Sequence, residues 1–262
     1  MNILDTIVAK KKIEVADRKR NKSISELENR PFFKNKTLSF RDYLLRKDKT
    51  GIIAEFKRKS PSKGVINDQA SVAEVTAAYA KYGASGISVL TDEEFFGGSL
   101  NDLLEATVNE VPLLRKDFII DEYQLIESKA YGAEVILLIA ACLSAAEVKT
   151  LAAVAKNLGL NILLEIHNQA ELAHICDEVD VVGVNNRDLK TFTVDINRSI
   201  ELSRQIAGNK VIISESGIET ISSILLLRDH GFSGFLIGEK FMREKDPGLS
   251  FQNFTEKLKR EK

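Results

Sequence analysis

Eight short apolar segments rich in β-branched residues recur from residue 52 onward, and stretches of helical composition lie between them. The segments are GIIAEF, GISVLT, VPLLRKDF, AEVILLIA, NILLEIH, VVGVNN, KVIISESG and GFLIGE. Strands that alternate with helices form a parallel sheet covered by those helices. Eight such units within about 210 residues favour a closed (β/α)8 barrel over an open doubly wound sheet. We number the predicted strands 1 to 8.

The stretches between the strands carry the start and stop signals of helices. Ser71 with Glu74, and Ser144 with Glu147, have the spacing of a capping box. Glycines that suit a left-handed helix end follow several of these stretches: Gly83, Gly132, Gly159, Gly208 and Gly231. An open dinucleotide-binding sheet would carry GxGxxG after its first strand, and this motif does not occur there.

The beginning of the chain does not follow the alternation of strand and helix. A predicted basic helix carries an apolar stripe formed by Ile3, Leu4, Ile7 and Val8. We interpret the basic runs Lys10–Lys12 and Arg18–Arg20 as its solvated face. We therefore expect one (β/α)8 domain over residues 1–262, of which about 1–48 is a helical N-terminal extension packed on the barrel.

The charge balance excludes several kinds of partner. The 37 Lys and Arg residues against 38 Asp and Glu residues give a formal net charge of −1, so no electrostatic argument favours nucleic acid or an acidic membrane. No apolar run has the length of a membrane span, and the N-terminus lacks a signal-peptide apolar region. Cys142 and Cys176 lack metal-ligand spacing, so we expect small buried residues in a reducing cytoplasm.

Charged and polar residues follow the apolar part of several predicted strands. Because side chains alternate faces along a strand, Ile53, Glu55 and Lys57 share one face of strand 1. The same spacing puts Lys116, Glu165 and then Asn185 with Arg187 on the inner faces of strands 3, 5 and 6. Barrel enzymes build their active sites where the carboxyl ends of the strands meet. Buried charge is costly, so this cluster requires either a ligand or mutual pairing, and the residues alone leave both open.

A second signal lies after strands 7 and 8. Ser216 and Gly217 follow strand 7, and Gly238 follows strand 8. Glycine lets the backbone approach a ligand closely, and the loops after these two strands often bind phosphate through backbone N–H groups. The sequence therefore predicts a phosphorylated small molecule as the substrate.

Seven motifs in a fixed order resemble those of one enzyme family. They are AEFKRKSPSKG (54–64), TDEEFFGGSLNDL (91–103), LLRKDFIIDEYQ (113–124), LLEIH (163–167), GVNNRDL (183–189), ISESGI (213–218) and LIGEKFM (236–242). Together they resemble the indole-3-glycerol phosphate synthase family over the whole chain. The resemblance implies a carboxy-lyase of tryptophan biosynthesis that needs no cofactor or metal. It would cyclise, decarboxylate and dehydrate 1-(2-carboxyphenylamino)-1-deoxyribulose 5-phosphate.

The resemblance also implies catalytic roles. Lys116 matches the general acid, Glu165 the base and Lys57 the partner of the substrate carboxylate, while Glu55 matches a carboxylate that positions or tunes the lysines. We expect a lysine beside other cations to have a lowered pKa. We also expect SPSKG to begin a mobile loop over the site, and no metal among the strand ends. His167 is expected on the face of strand 5 opposite to Glu165.

Other positions match the family's substrate contacts. The resemblance places one group on the anthranilate and hydroxyl side: Ser60, Asn185 and Arg187. Phe118 and Leu189 are either apolar walls for the aromatic ring or plain core. The resemblance also places the phosphate at Ser216, Gly217, Gly238 and Glu239. A small residue is common in the family at position 239; if only the backbone N–H of Glu239 serves, an acidic side chain that points away from the site is harmless.

Two other functions stay open from the residues alone. One is an aldolase-type barrel in which Lys116 attacks a carbonyl and forms a Schiff base. The other is a barrel that binds a phosphorylated ligand without catalysis, against which the intact set Glu55, Lys57, Lys116 and Glu165 argues. We expect a monomer or a weak homo-oligomer, without nucleic-acid or membrane partners.

Overall fold

The computed structural model describes residues 3–188, 191 and 193–261. Within them, eight parallel strands close into a barrel in which each strand pairs with its neighbour in sequence and the last pairs with the first. The strands are β1 (Ile52–Phe56), β2 (Gly86–Leu90), β3 (Leu113–Lys116), β4 (Val135–Ile139), β5 (Asn161–Ile166), β6 (Val181–Asn185), β7 (Val211–Glu215) and β8 (Gly234–Ile237). Each lies within one of the predicted segments. The predicted (β/α)8 barrel is confirmed.

Helices cover the outside of the barrel and also precede it. Those before β1 are α1 (Ile3–Asn21), α2 (Ile24–Glu28) and α3 (Phe40–Leu45), with a 3-10 helix at Pro31–Lys34. Those after it are α4 (Val72–Lys81), α5 (Glu93–Phe96), α6 (Leu100–Ala106), α7 (Glu122–Ala130), α8 (Ala145–Asn157), α9 (Ile196–Ser203), α10 (Ile221–Asp229), α11 (Glu239–Met242) and α12 (Pro247–Arg260). Further 3-10 helices lie at Ala140–Cys142 and Gln169–His174, the latter directly after β5.

The predicted helix signals have clear structural counterparts. The Ser71 hydroxyl accepts a hydrogen bond from the Glu74 backbone N–H, and at Ser144 both halves of the capping box form with Glu147. The glycines predicted to follow helices all have positive φ: Gly83, Gly132, Gly159, Gly208 and Gly231. Four of these glycines directly follow the C-cap residue of a helix, so local sequence determines where those helices end. Gly208 lies beyond the C-cap Arg204 of α9 and does not end that helix. No helix in the described part of the chain is long and apolar enough to cross a membrane.

The barrel interior is filled by side chains at alternate strand positions. Its core includes Ile53, Leu114, Leu137, Leu163, Ile213 and Leu236. Phe40 and Leu44 of α3 pack against the same cluster and close the end of the barrel where the strands begin. This packing puts Glu55, Lys116, Glu165 and Glu215, each two residues after a core position, at the opposite end. The division into one domain with an extension at about 1–48 stays a prediction.

The interpretation of the basic run in α1 as a solvated face is wrong for Lys11. Its side chain is 1% exposed, and its Nζ lies 2.9 Å from both Asp92 and Asp117 and 2.8 Å from Glu14. Burial alone would lower the pKa of Lys11, but these carboxylates, led by Asp117, raise it. Asp92 and Asp117 follow β2 and β3, so the ion pairs attach α1 to the mouth of the barrel. Ile3 and Ile7 of the same helix line the cavity there.

Candidate active site

A cavity of about 530 Å³ opens at the carboxyl ends of the strands. It is lined by twelve of the residues predicted from the sequence: Glu55, Lys57, Ser60, Lys116, Phe118, Glu165, Asn185, Arg187, Ser216, Gly217, Gly238 and Glu239. Leu189 lies outside the described residues. The predicted residues within the described part of the chain therefore lie around one contiguous cavity.

The two charges that follow β1 pair with each other. Lys57 Nζ donates a hydrogen bond of 2.6 Å to Glu55 Oε1, and Glu55 is buried. Lys57 follows the last residue of β1 and lines the cavity. The pair thus keeps an ammonium group at the wall of the cavity without leaving the buried carboxylate unpaired.

A second ion-pair cluster surrounds Lys116 at the end of β3. Lys116 Nζ lies 2.8 Å from Glu165 Oε2 and 3.1 Å from Glu215 Oε2. Burial alone would lower the pKa of Lys116, but the charges of Glu165 and Glu215 outweigh it and raise the pKa. The expectation of a lowered lysine pKa is therefore wrong for Lys116, because its neighbours are carboxylates rather than cations. This ammonium group keeps its proton at neutral pH.

Glu215 was not among the predicted site residues. It ends β7, is 1% exposed, and shares the inward face with Ile213, so the two-residue spacing that identified Glu165 could have found it. Burial raises the pKa of Glu215 and the charge of Glu165 adds to this, while Lys116 opposes it. The pKa of Glu165 is shifted in the opposite direction. Burial would raise its pKa, but Lys116 and His167 hold it well below its ordinary range.

The expected orientation of His167 is wrong. Residues 165 and 167 are two apart and share a face, and His167 Nε2 lies 3.2 Å from Glu165 Oε1. On its other side, Nδ1 lies 3.3 Å from Glu171 Oε2. Within residues 3–188, 191 and 193–261, no group of three or more His, Cys, Asp or Glu side chains could hold a metal ion.

The predicted phosphate end is built from an unusual turn. Ser216 and Gly217 both have left-handed backbone, with φ of 69° and 70°. Buried Asn186 holds this turn, because its Nδ2 donates hydrogen bonds of 2.8 Å to the Ser216 carbonyl oxygen and 2.9 Å to Ser214 Oγ. Gly238 faces the turn from the next strand end and is followed by α11. Ser216, Gly217 and Gly238 all line the cavity, and phosphate binding by their backbone stays a prediction.

The side chain of Glu239 does not point away from the site. Its carboxylate lies 3.5 Å from Lys63 Nζ and 3.9 Å from Arg187 Nη2. Both cations belong to loops that line the same cavity. An anionic group at this position balances part of the positive charge that would otherwise face a phosphate. The Glu239 side chain therefore lies beside two cations at the wall of the cavity.

Aromatic residues form an apolar wall beside the charges. Phe118, after β3, faces Phe96 of α5 with ring centroids 6.1 Å apart, and both line the cavity. Phe96 was not predicted to be a site residue. The two glycines after it have a steric role: Gly97 is left-handed, and a Cβ on Gly98 would lie 1.9 Å from the Leu90 carbonyl oxygen. Phe118 and Phe96 therefore form an apolar wall against which a planar ring can pack.

The segment SPSKG forms a hairpin beside the mouth. Lys59–Ser60 pairs with Gly64–Val65, and the residues of the turn line the cavity. Arg58 holds the base of the hairpin through two hydrogen bonds to Asp102, of 2.6 and 2.9 Å. The mobility of this loop stays a prediction.

The fold and the site together define a (β/α)8-barrel enzyme whose mouth combines ammonium groups, carboxylates and an aromatic wall. Residues 4–254 match the family model described as indole-3-glycerol phosphate synthase. Proteins with that name are similar over nearly their full length: one from Bacteroides thetaiotaomicron is 46% identical, covering 98% of this chain and 99% of the relative. One from Polynucleobacter asymbioticus is 41% identical, covering 95% and 97%. The chain belongs to the indole-3-glycerol phosphate synthase family.

Solved structures agree with the fold. A mutant tryptophan synthase alpha-subunit from Pyrococcus furiosus has a TM-score of 0.62 at 15% identity, covering 80% of this chain and 98% of that one. The alpha subunit from Legionella pneumophila has a TM-score of 0.61 at 13% identity, covering 85% and 98%. At these identities the likeness shows the barrel fold alone.

Proposed function

We propose that this chain converts 1-(2-carboxyphenylamino)-1-deoxyribulose 5-phosphate into indole-3-glycerol phosphate, with release of carbon dioxide and water. The observation that carries the proposal is the position of Lys116, whose Nζ is held between Glu165 and Glu215 in the cavity that Lys57 also lines. This arrangement supplies an acid, a base and a partner for a carboxylate at one place. Ring closure, decarboxylation and dehydration require those three groups.

Lys116 acts in the first step. An aromatic carbon of the substrate attacks the ketone carbon, and the ketone oxygen gains negative charge in the transition state. The raised pKa keeps Lys116 protonated, so its ammonium group can stabilise this oxygen and donate a proton to it. Glu215, whose pKa burial raises, lies 3.1 Å from Lys116 and can return a proton to it.

Lys57 and Glu165 act in the following steps. Lys57 pairs with the carboxylate on the ring, which then leaves as carbon dioxide, and Glu55 holds Lys57 in place at 2.6 Å. Loss of the hydroxyl group as water, with a proton donated by one of the two lysines, and removal of a proton from the ring complete the indole. Glu165 is ionised and can accept that proton, and the contacts with Lys116 and His167 that lower its pKa make it a weaker base until those contacts change during the reaction.

The remaining lining residues bind the rest of the substrate. The phosphate lies against the backbone of Ser216, Gly217, Gly238 and Glu239, and the aromatic ring packs against Phe118. Asn185 and Arg187 face the hydroxyl side with Ser60; Asn185 Oδ1 accepts a 3.0 Å hydrogen bond from the Arg187 backbone N–H. Leu189 is proposed for the ring side from the sequence alone.

The direct test is to incubate the protein with the carboxyphenylamino-deoxyribulose phosphate and follow indole fluorescence. We expect turnover that survives exhaustive chelation and borohydride. A Schiff base at Lys116 would require a neutral amine, which the raised pKa disfavours. Absence of indole product contradicts the proposal, and irreversible trapping by borohydride in the presence of substrate supports the aldolase-type alternative.

The same proposal includes a cytoplasmic monomer. In its favour, β-strand ends, α1 and the hairpin of a single chain line the cavity, so the site is built without a second subunit. Light scattering at micromolar concentration tests it. A dimer that remains on dilution into the assay contradicts it.

A further inference from the structure

His167 is buried directly behind the carboxylate of Glu165. It follows β5, is 6% exposed, and its Nε2 lies 3.2 Å from Glu165 Oε1. The other oxygen of Glu165 accepts the 2.8 Å hydrogen bond from Lys116 Nζ. Each oxygen of the Glu165 carboxylate therefore faces a different group that can carry positive charge: Lys116 inside the cavity and His167 behind it.

Glu171 holds the ring of His167 from the opposite side. Its Oε2 accepts a 2.7 Å hydrogen bond from the His167 backbone N–H and lies 3.3 Å from Nδ1. Its Oε1 accepts a 2.6 Å hydrogen bond from Asn168 Nδ2. Because Glu171 lies in the 3-10 helix Gln169–His174, the turn after β5 fixes both the backbone and the ring at position 167. The turn, the ring, Glu165 and Lys116 form one connected chain of contacts.

We propose that His167 is a positioning residue for the reaction, which fixes Glu165 so that one oxygen stays turned toward Lys116 and the cavity. This inference rests on the proposed role of Glu165 as the base. Without the contact behind it, the carboxylate of Glu165 would be held at one oxygen only, by Lys116, and could pivot about its terminal bond. A misplacement of about 1 Å can cost on the order of 10²-fold in rate.

The groups around the ring determine its charge. Glu165 and Glu171 face the ring directly, and Lys116 lies beyond Glu165. Cys142 is also near: burial raises the pKa of its thiol, and the charges of Glu165 and Glu171 add to this. Burial would lower the pKa of His167, but its contacts with Glu165 and Glu171 raise it to about 9. At neutral pH the ring is therefore an imidazolium between two carboxylates; Nδ1 is hydrogen-bonded to Glu171, whereas the contact of Nε2 with Glu165 is an ion pair without hydrogen-bond geometry.

Two amide variants separate the two sides of the ring. In His167→Gln, the amide nitrogen reaches about as far as Nε2 and can still donate to Glu165. In His167→Asn, it reaches only about as far as Nδ1 and can contact Glu171 instead. We expect the Asn variant to lose about 10- to 100-fold in kcat with KM changed less than about threefold. The Gln variant should stay within about threefold of wild type. Equal losses in the two variants contradict the inference.

A double-mutant cycle with Glu165→Gln tests this inference separately from the proposed function. If His167 acts through Glu165, His167→Asn should lower kcat in the wild-type background and change it less than about twofold in Glu165→Gln. Additive losses contradict the positioning role while leaving the base intact. Near-normal kcat in Glu165→Gln alone instead overturns the role of Glu165.

If His167→Asn does not fold, the pH dependence of kcat tests the inference instead. The wild-type kcat should fall through a limb near pH 9, because the neutral ring keeps its proton on Nδ1, which is hydrogen-bonded to Glu171, and turns an unprotonated Nε2 toward Glu165. This limb should be absent from His167→Gln, whose amide nitrogen always carries hydrogens. The same limb in both proteins contradicts the inference, because a purely structural residue would not titrate in kcat.

Discussion

Gly183 on β6 provides the space that Glu215 occupies, so Gly183→Ala should damage the site from inside the barrel. A Cβ at this position would lie 2.1 Å from Glu215 Oε1 and 3.2 Å from Leu163 Cδ1. Ordinary contact begins at 3.4 Å, so the carboxylate must retreat by about 1.3 Å. Glu215 and Leu163 are both buried, and Glu215 lines the cavity beside Lys116, so we expect the carboxylate to move toward the cavity.

This displacement changes the 3.1 Å contact that helps to hold Lys116. We expect Gly183→Ala to lower kcat by on the order of 10²-fold, the usual consequence of a 1 Å error in a catalytic group. Overpacking should also lower the free energy of unfolding by about 1–3 kcal/mol. Steady-state kinetics and urea unfolding measure the two effects on the same samples.

Gly234→Ala is the matched control. Gly234 also points into the barrel, but its Cβ would clash only with apolar side chains, 2.5 Å from Ile213 Cγ2 and 2.8 Å from Leu44 Cδ2, with the Gly51 carbonyl oxygen at 3.4 Å. This variant should lose stability and keep kcat near the wild-type value. If Gly183→Ala also keeps kcat while losing stability, then the position of Glu215 does not matter for catalysis and the reasoning is refuted.

Three other predictions test single groups. Gly238→Ala should raise KM and also lower kcat, because its Cβ would lie 2.6 Å from Glu55 Oε1. Glu165→Gln should bind substrate and turn over about 10²–10⁴-fold more slowly, as expected for loss of a positioned base. Finally, the free energy of unfolding should fall by up to about 3 kcal/mol between pH 6.5 and pH 9, since folded His167 has a pKa of about 9 against an ordinary 6.5.

A specific result would contradict each of these three predictions. A purely KM effect at Gly238 would mean that Glu55 tolerates the added methyl group, and near-normal turnover in Glu165→Gln would make Glu165 structural. The sign of the pH effect follows from a raised folded pKa, whose contribution is fully present below pH 6.5 and is lost as pH rises through 9. Equal pH slopes for wild type and His167→Gln in urea unfolding would assign the effect to other groups.

The sequence predicted the barrel and most of its mouth because both depend on short-range periodicity. Two-residue spacing determines which face of a strand a side chain occupies, and parallel topology brings the carboxyl ends together. Glu55, Lys116 and Glu165 were found in this way. The same two-residue spacing applies to Glu215 and His167. Glu215 was overlooked and His167 was assigned to the wrong strand face because the residues were miscounted, although the sequence contained the information needed.

Other features depend on contacts that spacing does not reveal. Lys11 lies in a basic run, and basic runs on helices usually face solvent. Its burial arises from Asp92 and Asp117, which follow different strands and meet α1 only in the folded chain. The raised pKa of Lys116 likewise depends on Glu165 and Glu215, which are 49 and 99 residues away in sequence.

The most direct test of the account compares ligand affinity in Lys57→Met and Lys116→Met under non-turnover conditions. Lys57 is assigned to a carboxylate that the substrate has and indole-3-glycerol phosphate lacks, whereas Lys116 is assigned to charge that develops mainly in the transition state. Lys57→Met should therefore bind substrate more weakly and product almost normally. Lys116→Met should bind both and lose kcat by roughly 10²–10⁴-fold or more. If Lys57→Met loses affinity for both ligands equally, Lys57 does not recognise the carboxylate and the central assignment is wrong.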